Sequence, residues 1–265
     1  MSAPPLLHAR GVQVTIGGAP IVRDAGVELD AGELVAVVGP NGAGKSTFVR
    51  ALAGLQPLAG GTVEWGGADV RHLRGRRLAR LRAFVPQRGR VPEGILVRDA
   101  VRIGRAPHLP PLRRMGRADH DAVERAMARA GVAALAERPL TTLSGGELQR
   151  AQVAVALAQE APVAILDEPT AHLDLGATAG LARLLRELAA GGLGVLLVVH
   201  DLALAAALAD RVLVLHGGRA VACGPAAEVL GPQRLAEVWG VDAVLDAEPG
   251  GRTALRVAWP VVRVP

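Results

Sequence analysis

Gly39-Pro40-Asn41-Gly42-Ala43-Gly44-Lys45-Ser46-Thr47 carries the spacing G-x-x-x-x-G-K-[ST], and its lysine is the single lysine of a chain that otherwise uses 29 arginines. A compact ammonium reaches the outer phosphates of a nucleotide as a point charge, where a planar guanidinium is bulkier and sits differently. Gly39, Gly42 and Gly44 let the backbone turn its N–H groups inward around phosphate oxygens. Ser46 offers a hydroxyl for Mg²⁺, and the helix start that follows adds its own free donors. Downstream, Val163-Ala164-Ile165-Leu166-Asp167-Glu168-Pro169 is an apolar run that ends in two carboxylates. Asp167 at such a strand end can reach Mg²⁺ or its water, and Glu168 can face an attacking water. Phosphoryl transfer needs both a charge-neutralising metal and a group that orients the nucleophile.

These residues need a scaffold that brings strand ends together. Glu33 to Val38 reads as a short buried strand before the glycine loop, and Thr47 to Ala53 as the start of a helix after it. Val12 to Ile16 and Gly26 to Leu29 read as edge-type strands of an N-terminal sheet, Gly60 to Gly67 as a short strand between turns, and Arg82 to Pro86 as a short strand ending at Gln87. From Arg88 to Leu140 strand-like runs stop, and Arg117 to Ala130 forms a helix with Val123, Met127 and Ala130 on one stripe. Ala106 to Pro111 reads as a loop within this helical insertion. Helix Glu147 to Gln159, strand Val163 to Leu166, helix Ala177 to Ala190, strand Val195 to Val199, helix Leu202 to Ala209 and strand Arg211 to His216 then alternate. That alternation with near-continuous apolar strands predicts an α/β fold with a mostly parallel sheet. The tail from Pro225 predicts a helix around Gln233 to Trp239 and a strand near Thr253 to Trp259.

With 265 residues, half of them hydrophobic, the chain can bury one full core with a smaller lobe attached. No apolar stretch is long enough to span a bilayer, Met1 to Arg10 lacks the layout of a signal peptide, and Cys223 is the only cysteine. These features lead us to expect a cytosolic chain. The net charge is +5, and eight arginines fall between Arg71 and Arg90. With Leu73, Leu78 and Leu81 this tract reads as an amphipathic helix, solvated or facing a partner. A nucleic-acid surface is the second reading, weakened by the near absence of aromatic residues for stacking bases.

Leu143-Ser144-Gly145-Gly146-Glu147, with Gln149-Arg150 after it, sets a hydroxyl and free N–H groups at a helix start. The same residues make an ordinary cap, with Ser144 and Glu147 as a reciprocal box, and both roles can hold. On this motif, together with the glycine loop and the Asp167-Glu168 strand end, the chain resembles the ATP-binding subunit of ABC transporters along nearly its whole length. The resemblance implies a P-loop NTPase core, an N-terminal antiparallel β subdomain, a helical subdomain at about 88–155, and a C-terminal extension at 225–265, in one cassette over 1–265. It implies ATP and Mg²⁺ as cofactors, with Gly39 to Thr47 on the phosphates and Ser46, Gln87 and Asp167 toward the metal. Glu168, His200 and Gln87 become the catalytic group, with Gln87 as the Q-loop glutamine and His200 as the switch histidine. Ser144, Gly145 and Gly146 reach the γ-phosphate of the opposite subunit in a head-to-tail homodimer holding two ATP, and Asp174 of Ala171-His172-Leu173-Asp174 crosses the same interface. His172, where the family often has Ser or Ala, reads as a surface histidine. The family places an aromatic ring on adenine at about Ile16; the chain has no tyrosine, and Phe48 and Phe84 lie elsewhere, so Ile16 offers apolar contact without stacking.

Gly104-Arg105-Ala106-Pro107-His108-Leu109, the run Arg80 to Gln87, and the C-terminal Pro225 to Pro232 and Leu235 to Val241 resemble importers of iron–siderophore, haem and cobalamin. The resemblance then implies integral membrane permease subunits and, indirectly, a substrate-binding protein as partners. It places the chain peripherally at the cytoplasmic face of the membrane. No nucleic acid is expected: the competing reading, a non-transport ABC protein, commonly has paired cassettes, zinc modules or long coiled coils. Another ABC importer or an exporter is the nearer alternative. The lobe from Arg88 to Leu140 is expected to dock on a permease through Val91, Ile95, Val97 and the loop around Ala106 and His108. Val97 and Ile103 also suit the lobe's own small core.

Overall fold

The computed structural model describes residues 4–87, 93–110, 114–248 and 252–258. Strands β1 (Leu7–Ile16) and β2 (Ala19–Leu29) form an antiparallel hairpin whose turn, Gly17-Gly18, has positive φ at both glycines. β3 (Leu34–Val38) is buried along its whole length and feeds α1 (Lys45–Leu52). β4 (Gly60–Trp65) pairs with β1, and β5 (Ala68–Asp69) closes that edge. After the short α2 (Gly75–Ala79) comes β6 (Ala83–Val85). The inserted lobe holds α3 (Val97–Ile103), α4 (Arg117–Ala130) and α5 (Gly145–Ala158). The α/β alternation resumes with β7 (Val163–Asp167), α6 (Leu175–Ala190), β8 (Gly194–Val198), α7 (Leu202–Leu208) and β9 (Arg211–His216). β10 (Arg219–Gly224), α8 (Ala226–Val229), α9 (Pro232–Trp239), β11 (Ala243–Glu248) and β12 (Arg252–Val257) complete the chain.

Ten strands make one sheet in the order β5-β4-β1-β2-β10-β9-β3-β8-β7-β6. The half from β9 to β6 is parallel, and the β5-β4-β1-β2 end is antiparallel. Period-two geometry explains the unbroken apolar runs of the central strands. Val35 and Val37 join Ile165, Leu196 and Val198 in one core with Phe48, Leu52 and Trp65. Leu34, Ala36 and Val38 join Leu166 and Leu197 in the other, against Ala154, Leu181 and Leu185. Each strand residue therefore has a core to enter, and burial stabilises each large side chain by about 1.5–3 kcal/mol. Parallel strands put their C-terminal ends at one edge. The chain after β3, β7 and β8, and Gln87 after β6, all emerge there.

The lobe is tied at both ends. Val97 N donates to Arg138 O and Leu140 N to Ile95 O, so the chain leaving the sheet pairs with the chain returning to it. Inside, Arg105 is 5 % exposed. It donates to Asp119 Oδ1, Glu160 Oε2 and the Ala158 carbonyl, which joins α4 and the end of α5 through one side chain.

Several expectations change. The arginine tract is not one amphipathic helix: a single 3₁₀ turn at Val70–His72 and the five-residue α2 are separated by extended Arg74. Gly75 at φ 48° breaks the helical path, while Leu73 and Leu78 still reach the core. β10 is a strand that alternation missed; a glycine pair at Gly217-Gly218, both at positive φ, folds it back on β9. β11 was also missed and pairs with the final strand, which runs Arg252–Val257; Trp259 lies outside the described residues. Val97 is fully buried as lobe core, but Ile103, assigned to the same core, is 61 % exposed. Ile95, expected as an exposed contact, is half-buried against the core. Val91 lies outside the described residues.

Candidate active site

The glycine loop leaves β3 and enters α1 without a side-chain cap. Gly39, Gly42 and Gly44 have φ of 153°, 79° and 94°. At Gly39 a Cβ would lie 2.1 Å from the Leu215 carbonyl oxygen, so no other residue fits there. The N–H groups of Gly42, Gly44, Lys45, Ser46 and Thr47 have no acceptor among the described residues. They are free donors of a loop and a helix first turn, and they fit the oxygens of a polyphosphate. Lys45 is 4 % exposed, with Nζ donating to the carbonyls of Gly39 at 2.8 Å and Pro40 at 3.0 Å. Burial lowers the pKa of this ammonium, while Glu168 and Asp167 pull it back up.

Asp167 ends β7 with no exposed surface. Ser46 Oγ donates to its Oδ1 at 2.8 Å, and Arg50 Nη2 lies 3.5 Å from Oδ2. Burial raises the Asp167 pKa, against the Ser46 hydrogen bond and the Arg50 charge. A hydroxyl and a desolvated carboxylate side by side are hard oxygen donors that fit Mg²⁺. Arg50 was not foreseen, although its place one helical turn after Ser46 puts both on one face of α1.

Glu168 takes a left-handed conformation, φ 53°, which turns its side chain out of the strand direction; its N–H donates to Val198 O at 3.1 Å. Gln87 Nε2 donates to Oε2, and His200 Nε2 sits 2.6 Å from Oε1. Both oxygens are thus held from the two strands that flank β7, by Gln87 just past the end of β6 and by His200 just past the end of β8. Lys45, Asp167, Glu168 and Arg105 are the buried charged residues among those described, and only Arg105 lies away from this edge. Desolvated charges with specific partners at a cleft are the signature of chemistry.

A cavity of about 400 Å³ is lined by Ile21, Asn41, Gly42, Gly44, Lys45, Ser46, Thr47, Gln87, Glu168 and His200. Gly39, Pro40 and Ala43 support the loop beneath, and Asp167 lies behind Ser46. Ile16 is not in the lining; it is 47 % exposed at the end of β1, and the apolar wall belongs to Ile21. Nothing in the sequence marks Ile21 among other β-branched strand residues. Ser144, Gly145 and Gly146 are also outside the lining. Ser144 caps α5, with its Oγ accepting from Glu147 N at 3.3 Å while Glu147 Oε2 accepts from Ser144 N at 2.8 Å. Asp174 caps α6 through Ala177 N at 2.7 Å, and His172 is exposed at φ 66°.

A family model described as ABC transporter matches residues 22–171. The hemin import ATP-binding protein of Streptomyces coelicolor is 46 % identical over 257 residues, which cover 96 % of this chain and 90 % of that protein. The ferric enterobactin transport ATP-binding protein of Escherichia coli is 36 % identical over 251 residues, 94 % of this chain and 93 % of that one. Among solved structures, a metal-chelate type ABC transporter in an inward-facing conformation matches with a TM-score of 0.84 at 24 % identity, over 97 % of this chain and 98 % of that one. At that identity the structural likeness speaks to the fold alone.

Proposed function

We propose a function on one premise: the chain belongs to the ABC transporter family, as an ATP-binding subunit. It binds and hydrolyses ATP to power import, and its cargo is a metal chelate of the haem, iron–siderophore or cobalamin class. Relatives named for hemin and ferric enterobactin support that cargo class. The observation that carries the catalytic reading is the Glu168 carboxylate, held by Gln87 and His200 beside a loop of free N–H groups.

In this reading the donors of Gly42 to Thr47 bind the phosphates and Lys45 adds its charge to the outer two. Ser46 and Asp167, with Gln87 nearby, would hold Mg²⁺, which when bound neutralises phosphate charge. Glu168 orients the attacking water and accepts its proton, as a positioned base. His200 fixes Oε1 of that carboxylate and stands at the γ-phosphate end of the cavity. Ile21 and, more peripherally, Ile16 offer apolar contact to the base.

Ser144 and its glycines present a helix N-terminus that the chain's own phosphate cavity does not use. A second chain, head to tail, gives that terminus a phosphate to bind, with Asp174 beside it. Leu175, 86 % exposed next to Asp174, is an apolar side chain that such a partner would cover.

Among the described residues no helix is long and apolar enough to cross a membrane, and docking on permease subunits would place the chain at the cytoplasmic face. Ile103, 61 % exposed on α3, is the large apolar residue that the lobe offers such a partner. Ile103→Asp is expected to leave the ATPase rate of the isolated subunit within about twofold and to weaken permease assembly about tenfold or more, as loss of a buried apolar anchor does. Co-purification from detergent-solubilised membranes with a polytopic subunit, and ATPase rates with and without it, measure both. Unchanged assembly would move the docking surface elsewhere on the chain.

A further inference from the structure

The chain's charge is not spread over its surface. Residues 66–87 contain six arginines and one aspartate, which leaves 24 basic and 24 acidic residues in the rest of the chain. The whole formal surplus of +5 therefore sits in one stretch between β4 and Gln87. Arg76, Arg77 and Arg80 surround a cleft of about 520 Å³ whose accessible apolar floor is the half-buried Leu81 and Ala68, with Trp65 and Leu73 buried beneath. Arg71, Arg74 and Arg82 line a second cleft, of about 550 Å³, which shares Leu73 with the first.

Some of these guanidiniums are already engaged. Arg71 pairs with Asp69 at 2.6 Å, and Arg82 is largely buried, donating to Ala53 O at 2.8 Å. Arg80 Nε donates to Pro107 O at 3.1 Å, and its terminal nitrogens have no partner among the described residues. Arg76 and Arg77 are exposed and make no ion pair among the described residues. An apolar floor under a rim of uncompensated guanidiniums matches one kind of ligand: an amphiphile with an anionic phosphate head and an apolar body.

We propose that Arg76, Arg77 and Arg80 form a surface that binds anionic phospholipid headgroups, independently of any permease. A single-stranded nucleic acid is the poorer occupant. The ring that lines the cleft, Trp65, is 1 % exposed and its Nε1 is committed to Leu52 O at 2.9 Å, so it has no free face for a base. The surface lies away from the nucleotide cavity, with which it shares no lining residue. It goes beyond the transport reading and draws from it only the premise that the chain works at a bilayer.

The test is sedimentation of the full-length isolated chain with vesicles, either neutral phosphatidylcholine or the same lipid with phosphatidylglycerol. Binding is expected only to the anionic vesicles and should fall steeply with salt. Each arginine replaced by glutamine is expected to lower the partition coefficient about fivefold, and R76Q/R77Q/R80Q together about a hundredfold. A control with the same charge loss, R10Q/R219Q/R234Q, removes exposed arginines that face Glu28, Asp24 and Glu237. It should bind within a few fold of the parent. Nucleotide binding by each variant reports that it has folded. The proposal is overturned if the parent does not bind anionic vesicles, if the control loses binding as fully as the cleft variant, or if R76Q/R77Q/R80Q loses binding to a single-stranded RNA oligonucleotide while keeping its binding to vesicles. None of these outcomes bears on ATP hydrolysis.

Discussion

Glu168→Gln leaves ATP bound and lowers turnover by about 10²–10⁴-fold, the range expected when a positioned base is removed. The substitution keeps size and shape but removes the charge that accepts a proton from water. Its neighbours tolerate it. Gln87 Nε2 can still donate to the remaining carbonyl oxygen, and His200 can meet the new amide as the neutral tautomer with a bare Nε2. Asp167 keeps its hydrogen bond from Ser46, so the metal-binding oxygens are untouched. Phosphate release at steady state and nucleotide retained after rapid gel filtration separate the two effects. A Glu168→Gln chain that hydrolyses at the parent rate would sink the assignment of the base, and one that fails to retain ATP would assign Glu168 to binding.

The second large effect tests whether two chains share each site. Lys45→Ala removes the buried ammonium from its own cavity. For the opposite face, a side chain at Gly146 is a poor probe, because its Cβ would lie 2.9 Å from Ala177 Cβ and disturb the packing of α5 on α6. Ser144→Arg instead fills the loop from an exposed position, with the loss of one cap, about 1 kcal/mol. In a crosslinked heterodimer of the two chains, both lesions fall on one composite site and the other stays whole. In a Glu168→Gln background it should occlude about one ATP, while either homodimer occludes essentially none, given the combined loss of phosphate donors. A Ser144→Arg homodimer that occludes about two ATP, beside about one in the heterodimer and none in the Lys45→Ala homodimer, would mean that each chain binds and closes on ATP alone.

How far the sequence carried the site depended on how local the signal was. The glycine loop, Ser46, Asp167 and Glu168 lie on segments whose hydrophobic runs are continuous because both faces are buried, so strand, turn and helix could be read in place. α4 and β9 have the bounds expected from their periodicity, Arg117–Ala130 and Arg211–His216. Gln87 and His200 could be placed after their strands, but their shared grip on Glu168 depends on the order β3-β8-β7-β6, which no window of sequence contains. The misses follow the same rule. β10 and β11 are held by partners rather than by alternation, and the arginine tract is broken by a backbone angle at Gly75 that helix-like spacing cannot show. Ile21 enters the cavity from β2 with no sequence pattern to mark it, whereas Ile16 is the position that the family resemblance implies.

The left-handed backbone at Glu168 sets stability against activity. A non-glycine residue at φ 53° costs about 1–2 kcal/mol. The carboxylate is also only 8 % exposed and stands next to another buried carboxylate whose pKa it helps to raise. Glycine or asparagine at 168 would relieve the backbone and the charge together. A laboratory selection that rewards heat resistance alone would therefore drift toward those residues and, with Glu168 as the proposed base, recover a sturdier chain with little turnover. Any programme to harden this protein has to hold position 168 fixed and look for its gains on the far side of the sheet.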